Sequence, residues 1–572
     1  MIDSFPPGWI LILGALLVPR LRDRLRSPFM LLLPVLGFAQ LLALSHSHAG
    51  QLAQGVALLK VSAFDYTLTL VRIDRLSLVF GYIFYIAAFL GVIYALQVKD
   101  KVQHVAALVY AGGAISAVFA GDLITLFVYW EIVAVSSVFL VWARRTERSY
   151  RSGMRYLIVQ VGSGVLLLAG TAVHAYETGS IAFDYLGLNS LGTTLIFLAF
   201  GIKCAFPLLH NWLQDAYPEA TVTGTVFLSV FTTKLAVYTL ARGFPGTEIL
   251  IWIGVTMTIF PIFYAVIEND LRRVLSYSLN NQLGFMVVGI GVGTEMALNG
   301  TAAHVFAHIL YKALLFMSMG AVLHRAGTIK ASELGGLYKS MPWTATCCMV
   351  GSASIAGLPL FSGFISKSMI LSAAAEQHYM LAYFLLLFAS AGVVDHSGIK
   401  IPFFSFFAHD SGIRCKKAPW NMRIAMGLTA LLCLLIGIFP SYLYDILPFP
   451  VEYSPYTITH LMTTLQLLLW AALAFGVLYR YGLYPPELRS VNLDFDWTYR
   501  RLLSGAARAI LRGGGRLWNV LLARTEKRLL ATIQTIHRHH GPHGILERTW
   551  PTGSMALWVA ILLGIVLLLY YL

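Results

Sequence analysis

The chain has 572 residues, 58% hydrophobic and only 12% charged, with a net charge of +14 and five cysteines. An ordinary soluble domain carries roughly 25% charged residues, so disorder, a disulfide scaffold and a normal soluble enzyme are excluded. What remains is an all-α polytopic membrane protein whose surplus of Lys and Arg serves cytoplasmic loops and anionic lipid.

Apolar runs fall near 5–20, 28–46, 77–97, 103–120, 122–142, 156–174, 190–213, 220–241, 248–267, 274–292, 300–323, 343–373, 378–406, 424–442, 460–479 and 554–572. At about 20 residues per spanning helix, these predict about 16 transmembrane helices. Positive charge follows the first run, at Arg20, Arg22, Arg24 and Arg26, instead of preceding it. That pattern predicts a retained helix starting outside, not a secretory signal. With this orientation the cytoplasmic loops hold 32 Lys/Arg, against four outside (Lys60, Arg72, Arg75 and Arg242). Without the long last loop the ratio is still 20 to 4, which supports both orientation and parity.

Two segments leave the pattern. Residues 47–76 are expected to form an outside loop or hairpin. Residues 485–550 begin with Pro485-Pro486 and scatter Arg among Leu, Ile and Trp. From Trp497 to His537 they read as one or two amphipathic helices on the cytoplasmic face, broken at Gly513-Gly514-Gly515. That triplet lacks the following Lys-Ser/Thr and the preceding strand of a phosphate loop. The patch of His537, His539, His540 and His543 has two readings, a metal site and a solvated tract, of which the second is the commoner. The cysteines read as small buried residues with no redox role.

Charge inside the apolar runs is the strongest signal. Lys203, Lys234, Lys312, Lys367, Lys400 and Glu131 all lie there. An ionised side chain near mid-bilayer costs about 2.5–3.5 kcal/mol. Five unpaired lysines would cost roughly 12–17 kcal/mol, more than a typical total stability. They must pair, take up water or give up their protons, and burial opposes the charged form of any lysine. A lysine that releases its proton near neutrality is a proton carrier. Glu131, in LITLFVYWEIVAVSS, is the acidic residue deepest in the first eight runs, and its alternatives are a structural ion pair and a proton relay. Asp122 reads as a boundary residue.

Lys203 lies in GIKCAFPLLHNWLQDAYPEA, four residues before Pro207, whose ring removes a helix hydrogen bond. A break at membrane depth is tolerated only where it is buried or wet, and charge beside a broken helix marks a transport site. A similar association occurs in ASIAGLPLFSGFISKSMI, where Gly357, Pro359 and Gly363 precede Lys367. The two broken spans are five apart, which gives opposite orientations. The predicted organisation is therefore N-terminal helices at 1–102, a first five-helix repeat at 103–241 and an inverted second repeat at 248–406. C-terminal helices at 424–479, the basic segment at 485–550 and a terminal helix at 554–572 follow.

His304, His308 and Lys312 are spaced i, i+4, i+8 and form one helical stripe. It reads as a proton wire, with polar helix packing and a metal site as its competitors; the HExxH glutamate of a metalloprotease is absent. Ser276, Ser278, Asn280, Asn281 and Gln282 are candidate water-holders, or interhelical glue. Asp395, His396 and Lys400 are either an exit path or a helix-end pair.

Together, GDLITLFVYWE, the Lys203–Glu219 block, Lys234, the His304/His308/Lys312 stripe and GLPLFSGFISK resemble the antiporter-like subunits of respiratory complex I and of the Mrp-type multi-subunit sodium/proton antiporters, the D-type subunits above all. The resemblance covers roughly residues 70–440. It implies two inverted five-helix repeats, each with a broken helix. It also implies a regulating Glu131–Lys203 pair, with Lys234, His304, His308, Lys312 and Lys367 carrying protons across and outwards. The chain departs from the pattern at Thr221-Val222-Thr223-Gly224, where prolines are usual. An obvious long transverse helix followed by a span, as in complex I, is not evident, and 485–572 is a loose analogue of one.

The expected function is proton translocation in a cation/proton antiporter, with sodium as the exchanged cation, in a bacterial plasma membrane. The expected partners are other membrane subunits, protons, sodium and anionic lipid, with no nucleic acid, cofactor or resident metal. Such a chain is a secondary transporter subunit and not an enzyme. The alternatives are a proton-pumping subunit of a complex I-like oxidoreductase, or of a related redox or inorganic-carbon uptake complex, and a structural scaffold whose relay is silent.

Overall fold

The computed structural model describes residues 5–63, 66–489, 492–544 and 549–572. They form two compact units, Met1–Asn492 and Leu493–Leu572.

The first unit opens with α1 (Trp9–Leu17) and α2 (Asp23–Ser47), followed by strands β1 (Val56–Ala63) and β2 (Tyr66–Ile73). The strands pair antiparallel as the hairpin expected between the second and third runs. Then come α3 (Arg75–Ala95), α4 (Lys101–Val118), α5 (Leu123–Trp142) and α6 (Glu147–Thr178). The next two runs are each divided, into α7 (Leu191–Cys204) with α8 (Asn211–Ala216), and α9 (Val222–Val230) with α10 (Thr232–Gly243). Helices α11 (Ile249–Ile267), α12 (Leu271–Val292) and α13 (Glu295–Ala326) are continuous. A third divided run gives α14 (Pro342–Ala356) and α15 (Ser362–Glu376). Helix α16 (Met380–Val393) runs on through a π-helical stretch (Val394–Ile399), the short α17 (Lys400–Pro402) and a second π stretch (Phe403–Phe407). The unit ends with α18 (Trp420–Ile438), the short α19 (Ser441–Tyr444) and α20 (Ile458–Arg480).

Every apolar run of the sequence becomes a helix or a divided helix. Among the described residues, eleven helical segments are individually long and apolar enough to cross a membrane. Helix α13 is the axis of the first unit. Its 32 residues span about 48 Å at 1.5 Å each. It packs on α3, α9, α12, α14, α15 and α18. A helix that is apolar all round is a buried helix, and the central part of α13 is buried throughout.

Local signals set the helix ends. Asp74, Thr146 and Ser190 close reciprocal capping boxes at α3, α6 and α7. Thr221 caps α9 by accepting from the Gly224 amide at 2.9 Å, so the departure at Thr221–Gly224 still starts a helix. One device occurs twice. Asp122 caps α5 and bridges to Ala182, just past the Gly179 that ends α6. Asp270 caps α12 and bridges to Lys330, just past the Gly327 that ends α13.

The loops are stitched into two separate sets. In one, Lys101 reaches the Pro19 carbonyl (3.1 Å), Arg145 reaches Asp100 (3.1 Å), and Arg144 and Arg272 share the Pro218 carbonyl (2.8 and 3.0 Å). Lys330 pairs with Asp270 (3.0 Å), Arg489 with Glu333 (2.8 Å) and Lys339 with Asp410 (2.8 Å). In the other set, the Thr69 amide meets Asp122 (2.7 Å), Arg72 reaches the Phe183 carbonyl (3.1 Å) and Asn299 reaches Phe449 (3.0 Å). The first set contains the loops assigned to the cytoplasm by charge, and is called the basic face below. The two Asp bridges fall in different sets, so the repeated device sits on opposite faces.

The second unit corrects an expectation. Residues Ser504–His540 form one continuous helix, α21, which passes through Gly513-Gly514-Gly515 unbroken. Each glycine costs about 1 kcal/mol relative to alanine. Good helix formers flank the triplet, and a cooperative helix of 37 residues absorbs that cost. Leu511, Trp518, Leu522, Leu529, Ile533 and Ile536 recur at helical spacing and make one exposed apolar stripe. The apolar α22 (Thr552–Tyr571) follows. A long helix followed by a span is therefore present.

The face opposite the basic one is locked by Asp74. Its carboxylate takes two hydrogen bonds from Arg242 (2.8 and 2.6 Å), caps the Ser77 amide (2.8 Å) and lies 3.3 Å from Arg72. Burial by itself would push this carboxyl up, but Arg242, the Ser77 amide and Arg72 outweigh it and hold the group below its ordinary 3.8. Asp74→Asn strands Arg242, whose side chain is 7% exposed, and is expected to cost about 3–5 kcal/mol. A lowered unfolding temperature in detergent is the readout. Because the folded value is depressed, the stabilisation is complete above pH 3.8 and is lost as the pH falls through the folded value. The parent should show that acid loss and the Asn variant should lack it.

Candidate functional site

The two divided runs that carry Lys203 and Lys367 break in the same way. Ala205-Phe206-Pro207-Leu208 and Gly357-Leu358-Pro359-Leu360 are matching turns, with left-handed backbone at Ala205 (φ 62°), Leu208 (φ 70°), Gly357 (φ 80°) and Leu360 (φ 74°). A non-glycine residue there costs of order 1–3 kcal/mol and persists only where its surroundings over-determine it, typically at functional sites. The proline supplies no amide, and the freed carbonyls find other donors. The Ile202 carbonyl takes the Trp212 indole at 2.9 Å, and the Ile355 carbonyl takes the Lys367 ammonium at 3.0 Å.

Lys203 ends α7 and is wholly buried. Its Nζ donates to the Trp130 carbonyl at 2.7 Å and lies 4.2 Å from the centre of the Trp130 ring. The indole donates to Ser163 (3.0 Å), which donates to the Ala199 carbonyl (2.8 Å), so the platform under the lysine is fixed. Glu131 is the next residue on α5, and its charge and that of Lys203 act on each other. Its Oε1 is buried and accepts no hydrogen bond from the described residues. That oxygen occupies the space a side chain at Gly164 of α6 would need. The other side of Glu131 borders an apolar groove of about 730 Å3 between α4 and α5.

Lys234 follows the interruption between α9 and α10. It donates to the Ser229 carbonyl (2.6 Å) and the Thr233 hydroxyl (3.2 Å). On α13, the His304 Nδ1 meets Ser366 of α15 at 3.0 Å. Its Nε2 meets the Tyr311 hydroxyl at 3.4 Å, which donates to Gln282 at 3.0 Å. The His304 and His308 rings are 6.2 Å apart. Both ring nitrogens of His308 are buried without a hydrogen-bond partner among the described residues, and the charges of Lys234, Lys312 and Lys367 all act on this ring. Lys312 donates to Ser278 (2.8 Å) and to the Leu275 carbonyl (3.4 Å).

Lys367 lies on α15 beyond its break, whereas Lys203 ends the helix before the corresponding turn. Its Nζ is 5.1 Å from the centre of the Phe285 ring. A cavity of about 110 Å3 leads from it past Ser368, Ser372, Ser390 and Thr464 to His460 of α20. His460 stacks on Phe364 with ring centres 4.3 Å apart.

Of the seven residues singled out in the sequence, Glu131 is half-buried and neighbours Lys203, and the other six are buried, with Lys234, Lys312 and Lys367 acting electrostatically on His308. Three polar groups of this neighbourhood were missed. Tyr311 lies on the stripe itself and looked like packing. His460 carries no local signal. Glu487, from the irregular segment after α20, pairs with Lys400 at 2.8 Å, with both side chains buried. Lys400 is therefore held by a carboxylate 87 positions along the chain, and one oxygen of Asp395 is left buried without a hydrogen bond.

Residues 120–392 match the model of the NADH:quinone oxidoreductase/Mrp antiporter transmembrane family. Over 291 residues the chain is 30% identical to the D-type Na(+)/H(+) antiporter subunit of Alkalihalophilus pseudofirmus, a match covering 47% of this chain and 59% of that protein. Over 411 residues it is 30% identical to the N-type NADH-quinone oxidoreductase subunit of Coxiella burnetii, covering 65% and 83%. It spans between 38% and 66% of the length of other curated relatives, antiporter subunits and hydrogenase-4 component B of Escherichia coli among them. A chain in the structure of the Mrp complex from Dietzia sp. DQ12-45-1b superposes with a TM-score of 0.68 at 20% identity, covering 77% of this chain and 94% of that one. The fold is the same, and the chain belongs to the NADH:quinone oxidoreductase/Mrp antiporter transmembrane family.

Proposed function

We propose that the chain is a proton-translocating subunit of a multi-subunit cation/proton antiporter of a bacterial plasma membrane, with sodium as the exchanged cation and other membrane subunits as its partners. The observation that carries this reading is the burial of Lys203, Lys234, His304, His308, Lys312 and Lys367, with Glu131 beside Lys203. A scaffold has no need of five lysines placed where each one costs free energy. Glu131 has a fixed lysine neighbour and an oxygen without a hydrogen bond, so a change at Glu131 alters the charge that Lys203 feels. Lys203 and Lys234 make up the first half of the path. His304, His308 and Lys312 carry the proton across, and Lys367 delivers it through the cavity toward His460. The two Asp-bridge devices on opposite faces support inverted repeats at 103–241 and 248–406. Anionic lipid is the expected neighbour of the basic loops and of α21. The chain performs no covalent chemistry in this reading. The membrane potential supplies about 2.3 kcal/mol per charge per 100 mV for uphill exchange.

A second reading makes the chain a proton-pumping subunit of a redox-driven complex. The long α21 followed by the apolar α22 favours it, as do relatives named as oxidoreductase and hydrogenase components. Co-purification separates the two: small antiporter subunits in one case, flavin and iron–sulfur proteins in the other.

The test is proton flux in vesicles holding the co-expressed complex, with and without sodium. Lys203→Ala and Glu131→Ala at normal assembly should each lower sodium-dependent flux by about tenfold or more. Unchanged flux would assign transport to another subunit. Gly164→Val, which puts a side chain where the Glu131 oxygen lies, should slow flux without removing any ionisable group. Parent-like flux in that variant would show that the position of Glu131 does not matter.

A further inference from the structure

We propose that His396, Lys400 and Glu487 form a second proton branch, joining Lys312 to the basic face; this rests on the transport reading above. The branch starts with an unbroken hydrogen-bond chain. Lys312 Nζ donates to Ser278 Oγ (2.8 Å), Ser397 Oγ donates to the same Ser278 Oγ (2.7 Å), and His396 Nδ1 meets Ser397 Oγ (2.8 Å). All four side chains are wholly buried. The chain thus runs from α13 through α12 into the π-helical stretch Val394–Ile399. Such π turns re-aim side chains and occur frequently at functional sites. Beyond His396 the file continues in charge. Among the described residues, His396 Nε2 is buried with no hydrogen-bond partner, and so is one oxygen of Asp395. Lys400, four residues on, acts electrostatically on both, as Lys312 and Lys367 act on His396.

Lys400 holds the far end. Its Nζ donates to the carbonyls of Ala265 (3.2 Å), Val266 (2.5 Å) and Glu268 (2.9 Å), and pairs with Glu487 at 2.8 Å. Glu487 belongs to the irregular Tyr484-Pro485-Pro486-Glu487 segment. That segment is anchored at the basic face by Arg489 on Glu333 (2.8 Å) and by Asn492 on Glu268 (3.5 Å). Arg273, 3.7 Å from Glu268, completes the surrounding charges. The branch therefore opens on the opposite side from the loop preceding α20, where His460 sits. Lys312 becomes a junction with one arm to each face.

The transfer involves only O–H and N–H bonds. The Glu487 carboxyl takes a proton from the basic face and gives it to neutral Lys400. The Lys400 ammonium protonates His396 at Nε2, and His396 releases its Nδ1 proton to Ser397. Each serine hydroxyl passes on its own proton as it receives another. Neutral Lys312 is the acceptor, so one proton moves; His396 is left as the Nε2–H tautomer with the serine hydroxyls turned, and rotation of the ring and hydroxyls resets the file before the next transfer.

Ser397→Ala interrupts the chain while leaving every charge and the Lys400–Glu487 pair in place, and Ser397→Thr keeps the hydroxyl. In vesicles with the whole complex, Ser397→Ala should lower proton flux about tenfold and Ser397→Thr should retain it. Glu487→Gln should also lose flux. Because that variant strands a buried ammonium, the double variant Glu487→Gln with Lys400→Met is measured alongside it; it should assemble normally and still lose flux. Parent-like flux in Ser397→Ala or in the double variant, while Lys312→Ala abolishes flux, would overturn the branch and leave the transport reading intact. Parent-like flux in Lys312→Ala would overturn both.

Discussion

Hydrocarbon offers no hydrogen bonds, so a helix that breaks inside a membrane must have its freed carbonyls satisfied by protein. In this chain the buried cations meet that requirement. Lys203 and Lys312 reach carbonyls inside the continuous α5 and α12. Lys234 instead donates to Ser229 at the end of α9, Lys367 to Ile355 at the end of α14, and Lys400 to three carbonyls at and beyond the end of α11. Arg272 does the same for Tyr217, Pro218, Ala220 and Thr221 between α8 and α9. Three of the five buried lysines thus hold helix ends. Removing a proton from one of these lysines weakens a backbone contact at the same moment, which ties protonation to the geometry of the path.

The file also has a division of labour. Around Lys203 the contacts are rigid and aromatic, with the Trp130 ring held by Ser163. Around His308 they are absent, and the ring is left without hydrogen bonds among the described residues. In the transport reading proposed above, His308 receives a proton from either neighbour and Lys203 responds to the charge on Glu131. Preorganised electrostatics of this kind lower barriers because nothing has to reorient when charge moves.

Much of the architecture was legible because hydrophobic runs, loop charge and buried charge are each local properties. The loop or hairpin at 47–76, the helix under every run and the burial of the lysines placed inside those runs could all be found that way. What escaped was non-local. Glu487 sits among ordinary loop residues, and only the fold brings it 2.8 Å from Lys400. His460 gains its place from a cavity that α15, α16 and α20 enclose together. The repeated turn was obscured by comparing the order of lysine and proline; aligning Pro207 with Pro359 makes the two breaks match and shows that the lysines occupy different positions relative to them. The glycine triplet misled for the opposite reason. It is a strong local signal, and the length of α21 outweighs it.

The matched turns bear on how the protein moves. Three of their four left-handed positions are Ala205, Leu208 and Leu360, where glycine would adopt the same backbone without strain. Glycine would also let the two halves of each helix swing. Side chains with a Cβ narrow the backbone to few alternatives; Ala205 is buried, whereas Leu208 and Leu360 are more than half exposed. The breaks therefore have fewer backbone alternatives than glycine would give them. In the transport reading proposed above, that favours access by rotation of side chains over swinging of the half-helices.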